Sequence, residues 1–187
     1  MRRAEHLRFA ILAAQREGNR LLIQALKPHG ITPSQAEVLR LLQQHGTLSL
    51  NGLGQLLVCE SGTNPSRLVE RAVAAGLVER RTDAEDRRYL QLSLTPEGER
   101  LAIAVARIEE DLYTSIDAAS EGLETDALLE FLHNFVDPLP SGKALNKRLS
   151  CEGWRPDRVL KAAVPAEGAG RFGPVAPGGL PQPSDGA

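Results

Sequence analysis

Cys59-Glu60-Ser61-Gly62-Thr63-Asn64-Pro65-Ser66-Arg67 is polar and turn-like, and it runs straight into Leu68-Val69-Glu70-Arg71-Ala72-Val73-Ala74-Ala75-Gly76. Leu68, Val69, Ala72 and Val73 recur at helical spacing and Gly76 supplies a stop, so this part reads as a helix with one apolar stripe. Ser61 is a candidate N-cap. That choice places Pro65 about four positions into the helix, where its missing donor costs less than it would mid-helix. Just upstream, Leu48 to Leu57 reads as a short helix with Leu50, Leu53, Leu56 and Leu57 apolar. A short helix, a tight turn and a second helix opening on small polar residues make a helix-turn-helix. In that motif the N-terminal residues of the second helix face base edges in the major groove.

Immediately after Gly76, Leu77-Val78-Glu79-Arg80-Arg81 reads as a strand. A second strand comes where Leu90, Leu92 and Leu94 alternate with Gln91, Ser93 and Thr95. The charged stretch Thr82 to Arg88 between them is the tip of a β-hairpin, a wing. Thr95-Pro96-Glu97-Gly98 opens a long helix with Leu101, Ala104, Val105, Ile108, Leu112 and Ile116 on a near-heptad stripe, and a last helix holds Leu123, Leu128, Phe131, Leu132 and Phe135. Upstream, Leu7 to Leu26 carries apolar residues at three-four spacing, which predicts an amphipathic helix over about 5–27 closed by Lys27-Pro28-His29-Gly30. A hydroxyl of Thr32-Pro33-Ser34 caps a helix with Val38, Leu39, Leu41 and Leu42 inward, and Gly46 ends it.

The expected fold is therefore mainly α with a small β-hairpin wing. From Gly153 to Ala187, six prolines and seven glycines in 35 residues leave too little apolar surface to offset ordering entropy, which predicts a disordered tail. Between body and tail, the basic stretch Lys143 to Arg148 is expected to form a turn of helix. Trp154 is either an exposed aromatic or an anchor for the tail.

The 187 residues carry a net charge of −2, with 42% hydrophobic and 25% charged side chains, a globular composition. Residues 1–140 hold 15 Lys and Arg against 20 Asp and Glu, so a DNA contact must rest on local clusters rather than on a basic domain. No apolar window is long enough for a membrane span, and no secretory leader is read, so a cytoplasmic location is expected. Cys59 and Cys151 lie far apart, and His6, His29, His45 and His133 have no ligand spacing, so neither a metal nor a cofactor is expected. Cys59 is either a small buried apolar residue or a thiol sensor beside a helix N-terminus. A glycine-rich phosphate loop, a nucleophile elbow and a paired His/Cys constellation are all missing, which argues against an enzyme.

Taken in order, Leu53 to Leu57, Ser66-Arg67-Leu68-Val69-Glu70-Arg71, Gly76-Leu77-Val78-Glu79-Arg80, Asp86-Arg87-Arg88 and Leu94-Thr95-Pro96-Glu97-Gly98 resemble the MarR family of bacterial transcriptional regulators. The resemblance covers roughly residues 5–137 and implies a winged helix-turn-helix with N- and C-terminal dimerisation helices. It divides the chain into a MarR-type domain at 1–137, with the winged core at about 31–98 and dimerisation helices at about 5–27 and 96–136, and a loose tail at 138–187. It implies a homodimer on double-stranded DNA, at a pseudo-palindromic operator with half-sites about one helical turn apart. DNA contacts are then expected from Ser61, Gly62, Thr63, Asn64, Ser66, Arg67 and Arg71 on the recognition helix, and from Asp86, Arg87 and Arg88 on the wing. The family pattern has the Arg88 side chain in the minor groove, oriented by Asp86, with Arg87 on phosphate. Repression released by a small molecule, often aromatic, is the implied mode. The family's sensing cysteine near the first helix is missing here, which argues against that type of peroxide response. The rival reading is a winged-helix interaction module that no longer reads DNA.

Overall fold

A computed structural model describes residues 1–58, 64–82 and 90–151. Cys59, Ser61, Gly62, Thr63, Asp86, Arg87, Arg88 and Trp154 lie outside the described residues.

Helix α1 (Arg3–Leu26) runs into a short 3-10 turn at Lys27–His29, and Gly30 at φ 68° reverses the chain at no steric cost. Helix α2 (Pro33–His45) opens on a reciprocal cap. The Gln35 amide donates to Thr32 Oγ1 at 3.3 Å while the Thr32 amide donates to Gln35 Oε1 at 3.0 Å, and Pro33 fills the first helical position. Next come strand β1 (Leu48–Ser49), helix α3 (Leu50–Gly54), helix α4 (Pro65–Ala74), and strands β2 (Val78–Thr82) and β3 (Leu90–Leu94). Three helices finish the described chain: α5 (Pro96–Ser120), α6 (Thr125–Val136) and α7 (Pro140–Ser150).

The sheet has the order β1-β3-β2 and is antiparallel throughout, with Leu48 opposite Leu92, and Val78 opposite Leu94 through to Thr82 opposite Leu90. Strand β1 corrects the helix expected from Leu48. Ser49 Oγ accepts from the Gly52 amide at 3.0 Å and starts the helix at Leu50, which leaves Leu48 and Ser49 extended against β3. The core is one cluster in which Leu26, Val38, Leu39, Leu42, Leu53, Leu68, Val69, Val78 and Val105 are fully enclosed. It lies between α2, α3, α4, the sheet and the first half of α5.

Around this core stand elements with much less cover. Leu26 is the one buried residue of α1, and α6 has none; Phe9, Leu12, Ile23, Ile116, Leu128, Leu129, Phe131 and Phe135 are exposed. Helix α7 spans three turns where a single turn was expected. Gly142 and Ala144 are buried, and Cys151 packs against the core cluster. The boundary drawn at 137 falls between α6 and α7, and residues 140–150 beyond it are helical. Among the described residues no helix is long and apolar enough to cross a membrane.

Candidate nucleic-acid interface

Helix α4 is locked on one side. Leu68, Val69 and Ala72 face the core, while Arg67, Glu70, Arg71 and Ala74 are exposed, the three-four repeat of an amphipathic helix seated on α2 and α3. Its start differs from expectation. Asn64 is the N-cap, with Oδ1 accepting from the Ser66 amide at 3.0 Å, and Pro65 occupies the first helical position rather than one a turn inside. There the ring's missing donor costs nothing, because that N–H has no helical partner anyway. Pro65 also closes on Gly54 of α3: a Cβ at Gly54 would meet the proline ring at 3.1 Å. The two helices of the motif therefore touch through residues that hold little bulk.

The far end of α4 is equally fixed. Gly76, at φ 70°, donates to Val73 O at 2.9 Å and Leu77 donates to Ala72 O at 3.0 Å, which turns the chain directly into β2. Strand β2 presents Arg80 and Arg81 at the surface, and Arg81 pairs with Glu79 at 2.5 Å. Such an exposed pair is worth less than about 1 kcal/mol and leaves the arginine available to a stronger anion.

Of the expected contact residues, the structure brings Asn64, Arg67 and Arg71 to the exposed side of α4 and leaves Ser66 half-buried. The Arg71 Nε donates to Arg67 O at 3.4 Å, so the two guanidinium groups rise from neighbouring turns. Ser61, Gly62, Thr63, Asp86, Arg87 and Arg88 are outside the described residues; Asp86 to Arg88 fall in sequence between the paired strand ends Thr82 and Leu90.

Sequence reasoning passed over a second charged cluster. Glu37 on α2 is only 6% exposed. Its carboxylate accepts from the Val58 amide at 2.8 Å and pairs with Arg148 of α7. Beside it the Arg40 Nε donates to Glu109 Oε2 of α5 at 2.8 Å. Burial pushes the Glu109 carboxyl above its usual range, partly offset by Arg40, and burial also pushes the Tyr113 phenol up to about 12. Arg40, Glu109, Tyr113 and Arg148 bound a cleft of about 50 Å³, room for a water or two but not for an aromatic ligand. A wider groove of about 420 Å³ opens between the end of α2, the strands and the start of α5, lined by Gln43, Glu79, Arg81, Ser93, Glu99 and Ile103. Among the described residues no group of three or more His, Cys, Asp and Glu could hold a metal ion.

Comparison with known proteins gives these features a context. The profile of the MarR family matches residues 29–88, the stretch from the turn before α2 to just short of β3. The chain is 27% identical to the HTH-type transcriptional regulator SarZ of Staphylococcus epidermidis over 133 residues, 71% of this chain and 88% of SarZ. Among solved structures, it is similar to a mutant of MarR from E. coli complexed with operator DNA, with 27% identity and a TM-score of 0.56 over 70% of this chain and 92% of that one. It is also similar to reduced AbfR bound to DNA, with 29% identity and a TM-score of 0.53 over 72% of this chain and 92% of that one.

Proposed function

The chain belongs to the MarR family of winged-helix regulators, and from that premise we propose that it is a homodimeric, sequence-specific DNA-binding repressor of transcription. The observation that carries this reading is the exposed side of α4. Arg67 and Arg71 stand on a helix whose opposite side is fixed in the core, so the cations are held at a set depth and angle. A guanidinium can pair with both acceptors of guanine, and Asn64 and Ser66 supply the short polar groups that read or position a backbone. Related chains of the same fold are bound to DNA, one of them to operator DNA, which supports the assignment.

The charge balance suits this role. Affinity comes from local contacts to phosphate rather than from net charge. Arg67 and Arg71 on α4 and Arg80 and Arg81 on β2 are exposed, and Arg87 and Arg88 follow β2 in the sequence. In a dimer these clusters are doubled, while the acidic remainder disfavours other orientations on the duplex. The protein then acts in the cytoplasm as a promoter-occluding dimer, without metal or cofactor. A small molecule releases it, and the groove between α2, the strands and α5 has the volume for one.

Replacing Arg67 and Arg88 with alanine tests this directly. Each substitution removes a contact worth about 1–3 kcal/mol, so the double variant is expected to lose at least about thirtyfold in operator affinity while remaining a folded dimer. Fluorescence anisotropy with the purified proteins reads the affinity, and sedimentation reads the dimer. Operator affinity equal to that of the unaltered chain assigns the fold to a protein-interaction role instead.

A further inference from the structure

Glu37 is the one charged residue among those described that is buried, and its partners converge on the route to α4. The Arg148 Nε donates to Leu56 O at 2.6 Å, and another nitrogen of the same guanidinium pairs with Glu37. Glu37 in turn receives the Val58 amide. Leu56 and Val58 therefore hang from one buried ion pair, whose two members come from α2 in the core and from α7 at the far end of the described chain. Lys147 of α7 adds a bond to Gln55, and Asn146 Nδ2 donates to Asp137 Oδ1 at 2.7 Å, which ties α7 back to the end of α6. Residues 55–58 are the exit from α3 and lead to Asn64, the cap of α4.

We propose that Arg148 is a positioning residue for the DNA-reading helix: from α7 it bonds the Leu56 carbonyl and, through Glu37, holds the Val58 amide, and so steadies α3, against which the core-seated α4 rests. The inference rests on the DNA-binding reading above. The chemistry favours a fixing role over a mere surface strap. A carboxylate buried to this extent is costly unless it is paired and hydrogen-bonded, and only the guanidinium fork satisfies the acid and the Leu56 carbonyl together. Arg148 is spent inside the protein and does not itself meet phosphate. The α6–α7 turn that delivers it has no slack, since a Cβ on Gly142 would lie 2.0 Å from Val136 O.

The test compares the full chain with Arg148→Ala, Arg148→Lys and Gly142→Ala. Two readouts are used: hydrogen–deuterium exchange of peptides covering 50–58 and 64–74, and anisotropy titration of operator DNA at several salt concentrations. Arg148→Ala is expected to speed exchange in both peptides while α5 stays protected. It is also expected to weaken DNA binding about tenfold with the salt slope unchanged. Arg148→Lys, which keeps the charge for Glu37 but loses the fork, falls between. Gly142→Ala, which moves α7 without touching the ion pair's chemistry, behaves like Arg148→Ala and stands in for it if that variant does not fold. Unchanged exchange overturns the tie itself. Faster exchange with unchanged affinity overturns the positioning role. A salt slope smaller by about one means that Arg148 meets phosphate directly, and also overturns it. Altered exchange in a chain whose unaltered form prefers no DNA overturns the DNA reading and, with it, the purpose assigned to Arg148, while the contact with Leu56 stands.

Discussion

Gly98→Ala is expected to destabilise the protein by about 3 kcal/mol or more, although alanine is the better helix former by about 1 kcal/mol. Gly98 is the third residue of α5, and its amide donates to Thr95 Oγ1 at 3.0 Å. Its backbone is ordinary for a helix, so the need for glycine is one of space. A Cβ there would lie 2.0 Å from Leu77 O and 3.0 Å from Leu77 C, both backbone atoms at the entrance to β2. Leu77 O already accepts the Thr95 amide at 3.1 Å, and Thr95 Oγ1 donates to Gly76 O at 2.7 Å. The start of α5 is thus bonded to the end of the α4–β2 turn at two points and cannot slide away. Accommodating a methyl group means moving the helix that brings Ala102, Val105 and Ile108 into the core. At roughly 2–4 °C per kcal/mol for a domain of this size, the melting temperature should fall by about 10 °C. Urea unfolding checks the prediction, and a more stable alanine variant would mean that propensity outweighs this close approach.

The largest effect on assembly is expected from Leu128→Asp combined with Phe135→Asp on α6. These side chains are 50% and 63% exposed, and the helix has no buried residue. Phe131 and Phe135 stack at 6.3 Å between ring centroids, one turn apart, with Leu128 a turn before them. A helix this apolar and this bare in one protomer has to be covered by something, and in the proposed dimer the cover is the same face of a second copy together with α1 and the end of α5. Two-fold symmetry makes each substitution count twice. Each buried leucine or phenylalanine contributes about 1.5–3 kcal/mol by burial alone, and a buried unpaired carboxylate adds a further penalty. The dimer should therefore dissociate at micromolar concentration, and operator binding should fall by at least about a hundredfold, because a monomer spans only one half-site. Analytical ultracentrifugation gives the answer: a species of half the mass is expected, and an unchanged dimer moves the interface elsewhere.

Much of this architecture is legible in the sequence because local chemistry and tertiary packing agree. A hydroxyl cap within Thr32-Pro33-Ser34, Gly76 after an apolar stripe, and the alternating leucines of β3 are read from local signals and the structure adopts them, choosing Thr32 as the cap and completing it with Gln35. The exposed side of α4 comes from the same periodicity: once Leu68, Val69 and Ala72 face inward, Arg67 and Arg71 must face out. The misreadings occur where packing overrules a local signal. Leu48 fits a helical leucine pattern, yet β3 offers it a ladder, and Ser49 is the better cap for α3. Ser61 and Asn64 both precede a helical stripe, and Pro65 decides between them, since proline belongs at the first helical position. The Glu37–Arg148 pair was out of reach. Its partners are 111 residues apart, and nothing in the spacing marks an acid among the core residues of α2 as the point to which a late basic helix returns. Gly98 was visible only as part of a motif; its reason, the carbonyl of Leu77, belongs to the folded chain.

Recognition of a particular DNA sequence by this chain is tested by an anisotropy titration of the purified full chain. The target is the duplex upstream of its own gene, with an unrelated duplex of equal length as control, each at low and at physiological salt. Binding to the first duplex is expected to be at least about a thousandfold tighter than to the second and to weaken steeply as salt rises. Equal, weak binding to both duplexes, or affinity that hardly changes with salt, would contradict sequence-specific recognition.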